Sequence, residues 1–266
     1  MSFYNYNGIN IFYEVAGNGG ECIVLIHGLG SSSKVYSDIS KYDYFVENFN
    51  CLFIDLIGYG NSDKPMEFDY SIKSQALACL HLIDYLGINS THIIAHSMGG
   101  VVAQYICESM KVKSFVNCEG NLTLDDCKLS ASIYNVGGEA FNRGGFRFLK
   151  SNYRTLPFYE SLCMTNAYVM YESSKSLVEV CKTDNILERF IKLDTKKMYV
   201  YGERNLGKRR SQEYLCDKGI AIKYIKDSGH NMIEENPYNF YETLIEHFSN
   251  ANFLGNKGGE YEIYHT

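Results

Sequence analysis

Ser97 stands in Ala95-His96-Ser97-Met98-Gly99-Gly100, between a short apolar run and a segment with helical spacing. A chain that passes from strand to helix there must turn sharply, and small residues two positions before and after the centre let neighbouring backbone come close. The strained turn exposes the central side chain at the strand's carboxyl end, so the segment reads as a nucleophile elbow with Ala95 where glycine is commoner. A serine hydroxyl becomes a good nucleophile only when a base takes its proton, and a histidine lies downstream at Asp227-Ser228-Gly229-His230. Taken alone the short string is weak, because most serines are surface or cap residues. The strand before it, the helix after it and the later histidine give it weight.

The elements that must hold these groups can be read from apolar spacing. Continuous apolar runs at Cys22 to Ile26 and Cys51 to Ile54 suit strands of a sheet covered on both faces, and further strands are read at His92 to Ala95, Ser114 to Cys118, Lys197 to Tyr201 and Ala221 to Ile225. The opening segment alternates and turns at Gly17-Asn18-Gly19-Gly20, which suits a β-hairpin feeding a third strand. Between the runs lie helical patterns. One follows Ser71, a suitable N-cap, with Ile72, Ala76, Leu80 and Ile83 on one face and Gly87 past its end; another runs from about Gly99 to Met110. A last helix starts near Pro237, with Phe240, Tyr241, Leu244, Ile245 and Phe248 at helical spacing. Alternation with short connections predicts an α/β fold with a mostly parallel sheet and helices on both faces.

The stretch from Gly120 to Lys192 breaks that alternation and contains several aromatics and two or three short helical patterns. It reads as an insertion folded over the end of the sheet. The expected organisation is a core domain over 1–119, a cap insertion over 120–192, the rest of the core over 193–250, and an extended or frayed tail over 251–266.

A chain of 266 residues, 45% of them apolar, can bury one substantial core. Its net charge of −6 offers no basic surface for nucleic acid or anionic lipid. Nine scattered cysteines form no C-x-x-C pair, and no histidine cluster has zinc-ligand spacing, so neither a metal nor a disulfide framework is expected. The first residues lack a basic and apolar leader, and nowhere do eighteen apolar residues follow one another, so no membrane span and a cytoplasmic location are expected.

From Tyr4 to Phe248 the chain resembles the α/β-hydrolase superfamily. The resemblance rests on His27-Gly28-Leu29-Gly30-Ser31, Asp55-Leu56-Ile57-Gly58-Tyr59-Gly60-Asn61-Ser62, the Ser97 elbow and Asp227-Ser228-Gly229-His230, in the family's order. It implies an eight-stranded sheet with a cap, catalytic groups at the strands' carboxyl ends, and His230 as the general base. The backbone N–H groups of Leu29 and Met98 would form the oxyanion hole, and their apolar side chains would line the pocket. Of the other histidines, His27 is expected to orient its own loop and His96 fills the variable elbow position. His81, His92, His247 and His265 read as ordinary helix, strand-start or tail residues.

The acid departs from the family's commonest pattern. After the strand at Lys197 to Tyr201 the family usually has G-x-x-D, whereas this chain reads Gly202-Glu203-Arg204-Asn205. Asn can orient an imidazole but brings no negative charge to the imidazolium. Glu119, at the carboxyl end of Phe115-Val116-Asn117-Cys118-Glu119-Gly120, is the better candidate, since some members take their acid from that strand end. Asn205 and Glu203 are the alternatives, and Asp125 and Asp126 are expected to cap a helix.

These groups suit a serine hydrolase that cleaves the ester of a small or medium lipophilic acyl substrate through an acyl-enzyme, with no organic cofactor. A carbon–carbon bond hydrolase or an acyltransferase could use the same groups. A ligand-binding, receptor-like member with little turnover is an alternative of a different class. Aromatics and methionines of the insertion, such as Phe141, Phe146, Tyr153, Phe158 and Met170, either line the pocket or form the cap's own core.

Overall fold

A computed structural model describes residues 2–253. Eight strands are present among them: β1 (Ser2–Tyr6), β2 (Ile9–Ala16), β3 (Glu21–Ile26), β4 (Phe49–Ile54), β5 (Thr91–His96), β6 (Val112–Cys118), β7 (Lys196–Gly202) and β8 (Ala221–Ile225). They form one sheet in the order β1-β2-β4-β3-β5-β6-β7-β8. β2 runs antiparallel to both β1 and β4, and every pairing from β4 to β8 is parallel. The fold is therefore the mostly parallel eight-stranded α/β sheet that the sequence implies, with helices on both faces and a helical insertion.

The apolar runs are continuous because both faces of the central strands are covered. Successive residues of β3 alternate between two cores: Val24 and Ile26 join the layer under helices Ile72–Tyr85 and Met98–Ser109, while Ile23 and Leu25 join the layer under helix Pro237–Phe253. Each such side chain, fully buried, contributes roughly 1.5–3 kcal/mol of transfer free energy. Among the described residues no helix is long and apolar enough to cross a membrane.

Two expectations need correction. The hairpin turn is Asn7-Gly8, both at positive φ (51° and 88°), the conformation that matches the twist of a two-residue hairpin. Gly17–Gly20 instead carries the chain from β2 to β3, which do not pair, since β2 pairs with β4. The stretch between β6 and β7 is also more helical than expected. Besides short helices at Lys128–Val136, Phe146–Asn152, Tyr159–Cys163 and Ile186–Lys192, it holds the 17-residue helix Ala167–Thr183. Asn166 caps that helix by accepting from the Val169 N–H at 3.0 Å. Its buried face mixes Ser173 and Ser174 with Val169, Met170, Leu177 and Val178, which dilutes the apolar signal. The final helix enters the expected tail as far as Phe253, and residues 254–266 lie outside the described residues.

Candidate active site

β5 lies near the middle of the sheet and ends at His96, and helix Met98–Ser109 begins two residues later. Ser97 between them has φ 53° and ψ −125°, a backbone state that non-glycine residues rarely adopt. Its N–H donates to the Cys118 carbonyl (3.0 Å), and its carbonyl accepts from the Gly100 N–H (2.8 Å). The turn is fixed from both sides. Gly28 packs beside it so closely that a Cβ there would lie 2.9 Å from the Ser97 Cβ. Gly99 lets the helix start against β3, where a Cβ would come 2.5 Å from the carbonyl oxygens of Ile26 and His27.

His230 follows β8 on a loop held by Ser228, whose Oγ–H donates to the Ile225 carbonyl (2.7 Å) and whose carbonyl accepts from the Arg204 N–H (2.9 Å). His230 Nδ1 lies 2.9 Å from Glu119 Oε2, and Nε2 lies 3.0 Å from Ser97 Oγ. The carboxylate only accepts, so Nδ1 carries the ring proton and Nε2 is the lone pair that faces the hydroxyl. Hydroxyl, imidazole and carboxylate thus form one hydrogen-bonded row.

Glu119 is the residue after β6 and is only 4% exposed. Oε1 accepts from the Gly202 N–H (2.9 Å) and from Asn205 Nδ2 (2.7 Å), while Arg209 lies 3.9 Å from Oε2. Burial pushes the carboxyl's pKa up, but the hydrogen bond and charge of His230, with the donors Asn205 and Gly202, outweigh it and hold the pKa below the ordinary value. Asn205 therefore supports the carboxylate and does not face the imidazole. Glu203 is turned elsewhere and accepts from the Asp227 N–H (2.9 Å). Asp126 closes a capping box with Thr123 at the start of the insertion.

Residues 21–149 match the family model of the α/β-hydrolase fold. The chain has the α/β-hydrolase fold. A carboxylesterase structure from Nitrososphaera gargenis superposes with a TM-score of 0.77 at 16% identity, covering 95% of this chain and 99% of that one. The N-acyl homoserine lactonase AidH, complexed with N-butanoyl homoserine, superposes with a TM-score of 0.77 at 14% identity, covering 97% and 99%. At these identities the likeness is one of fold. In sequence, an uncharacterized protein of Mycobacterium tuberculosis is 34% identical over 103 residues, which are 39% of this chain and 29% of that protein. The matched stretch thus spans less than a third of that relative's length.

In this fold the amide hydrogens of Leu29 and Met98 have no protein acceptor among the described residues. The two side chains differ. Leu29 lines the cavity beside Ser97, whereas Met98 is fully buried in the core and absent from the cavity wall, contrary to expectation. The first residue of a helix that packs on the sheet turns its side chain inward. His27 orients its loop as the sequence suggests: Nδ1 donates to the Gly28 carbonyl (2.8 Å) and Nε2 accepts from the Leu56 N–H (3.0 Å).

His96 has a partner that sequence reading missed. Its Nε2–H donates to the backbone carbonyl of His230 at 2.7 Å, and the two rings lie 4.8 Å apart. Burial, aided by the neighbouring His230, lowers its pKa to about 3, so the ring is neutral. Nothing in the local sequence signals a partner 134 residues away.

Ser97 and His230 open onto a cavity of about 270 Å³. The core contributes Leu29, Val35 and Ile233 to its wall, and the insertion contributes Leu129, Phe158 and Leu177. Tyr153 also lines it, whereas Phe141, Phe146 and Met170 are buried in the core. Lys128, Arg209 and Glu234 are its charged groups besides Asp126. The Glu234 carboxyl is pushed up to about 7 by burial and by Glu235.

Proposed function

We propose that this α/β-hydrolase is a serine hydrolase that cleaves carboxylic esters of small or medium, largely apolar acyl groups. The observation that carries the reading is the row Ser97–His230–Glu119, with both hydrogen bonds at 2.9–3.0 Å, opening onto a cavity with apolar walls. Ser97 Oγ attacks the carbonyl carbon while its proton passes to His230 Nε2, and Glu119 stabilises the imidazolium. The N–H groups of Leu29 and Met98 receive the oxyanion. Collapse of the tetrahedral adduct expels the alcohol with the proton from His230. Water, deprotonated by the same imidazole, then releases the acid and restores Ser97. The segment 120–192 serves as a cap between core segments 1–119 and 193–250, and it gives the acyl group its apolar surroundings. Nine free cysteines support a reducing, cytoplasmic location.

Ser97→Ala tests the mechanism. It is expected to abolish hydrolysis of p-nitrophenyl butyrate and labelling by a fluorophosphonate while the far-UV CD spectrum is kept. Turnover near the wild-type level in that variant refutes the mechanism. A receptor-like protein would label poorly in the wild type. Across a graded series of p-nitrophenyl esters, kcat/KM is expected to rise beyond acetyl, since each methylene buried contributes roughly 0.8 kcal/mol, and then to fall once the cavity is filled. A steady fall from acetyl onward refutes acyl binding in this cavity.

A further inference from the structure

We propose that His96 is a positioning residue whose Nε2–H, donated to the His230 carbonyl, holds the imidazole in register with Ser97. The inference rests on the serine-hydrolase reading above. His96 precedes Ser97 in the chain, so a single 2.7 Å bond ties the elbow directly to the residue that carries the base. The donor is unambiguous, because a carbonyl only accepts and Nε2 must therefore bear the proton. Among the described residues no other group donates to that carbonyl. The remaining backbone anchors of the loop act on Asp227, Ser228 and Gly229 before His230 and on Asn231 after it, whose carbonyl accepts from the Glu234 and Glu235 N–H groups. Without His96 the peptide group of His230 loses its one direct hydrogen bond among the described residues, and the ring is held only by Glu119 and the neighbouring residues.

The ring also meets the third loop of the site. A Cβ on Gly28 would lie 3.3 Å from His96 Nδ1 and 3.2 Å from its carbonyl oxygen, so the loop that carries Leu29 is packed against this residue. His96 is 6% exposed, and its bond to the half-buried His230 carbonyl lies at the wall of the cavity. It thus touches the nucleophile's turn, the base's loop and the loop of the oxyanion donor. A displacement of a few tenths of an ångström at His230 lengthens the contact to Ser97 without altering the apolar walls that hold the acyl group. The effect belongs in kcat and not in KM.

Gln and Met are close in shape, and only Gln can donate. With p-nitrophenyl butyrate, His96→Met is expected to lower kcat by about ten-fold or more with KM within about two-fold, and His96→Gln to stay within about three-fold of wild-type kcat. Equal impairment of the two variants at wild-type thermal stability, or a Met variant with more than half of wild-type kcat, overturns the proposal. If the Met variant fails to fold, the Gln variant decides: a loss of about ten-fold or more in its kcat counts against the proposal. Histidine 15N spectra of the wild-type protein give an independent reading, in which His96 must show a protonated Nε2, and an Nδ1–H tautomer refutes the bond. Fluorophosphonate labelling of wild-type Ser97 tests the underlying mechanism separately. Labelled Ser97 with equally active Gln and Met variants rejects only the role of His96.

Discussion

Asn205 stands where the family most often places an acid, yet its amide donates at 2.7 Å to a carboxylate supplied from another strand. The two positions are partners, and their substitutions should differ in kind. On the proposed mechanism Glu119→Gln removes the charge that steadies the imidazolium and sets an amide N–H against the donors of Asn205 or Gly202; kcat is expected to fall by about 10⁴. Asn205→Ala leaves the Gly202 donor in place and should cost about ten-fold. Asn205→Asp is expected to be worse than Ala, because two carboxylates at hydrogen-bond distance cannot both stay ionised. Steady-state kinetics of the three variants check the order, and an Asn205→Ala variant less active than Glu119→Gln contradicts it. At this scale the members of the hydrogen-bonded row, Ser97, His230 and Glu119, were legible as candidates because each follows a recognisable strand. The donors around them, Asn205 and His96, were not legible as donors, since a hydrogen bond across 86 or 134 residues leaves no local pattern.

Helix Met98–Ser109 shows how an element can be held by what a residue lacks. Alanine is the better helix former by about 1 kcal/mol, but at Gly99 its Cβ would lie 2.5 Å from the carbonyl oxygens of Ile26 and His27. Those are backbone atoms of the sheet and its exit loop, and they cannot rotate away. Gly99→Ala is expected to destabilise the protein by about 2 kcal/mol or more, a fall in Tm of roughly 4–8 °C, and to displace the Ser97 turn. A calorimetric Tm equal to or above the wild-type value would show that the helix can move off β3. The central strands β3 and β4 were readable because burial on both faces demands unbroken apolar runs. The turn between β1 and β2 was misplaced because a cluster of glycines outweighed the smaller Asn7-Gly8 signal. Helix Ala167–Thr183 was underestimated because serines occupy part of its buried face.

Acid should unfold this molecule through its neutral histidines. Burial lowers the pKa of His96 to about 3 and that of His247 to about 4, and it lowers those of His27 and His92 as well. Each folded-state value lies below the unfolded one, so from about pH 6.5 downward the unfolded chain binds more protons. The stability these groups contribute is complete above that pH and is lost as the pH falls. His96 and His247 together should remove about 4 kcal/mol by pH 5, a large part of a typical folding free energy. Urea denaturation at pH 7.5 and pH 5 checks the slope. His247→Phe should flatten it by close to one proton, and an unchanged slope rejects the assignment. The sheet carries a different consequence at its margin. Ser97 hangs from β5, whose residues are all buried, but His230 hangs from β8, which among the described residues is an edge strand with one neighbour and only Ile225 fully buried. Local opening is easiest at such edges. Catalytic competence should therefore report on whether the last strand is docked, and it should vanish at a lower urea concentration than the far-UV CD signal. Inactivation and unfolding would then be two events with separate midpoints, and β8 amides would exchange hydrogen for deuterium well before those of β5.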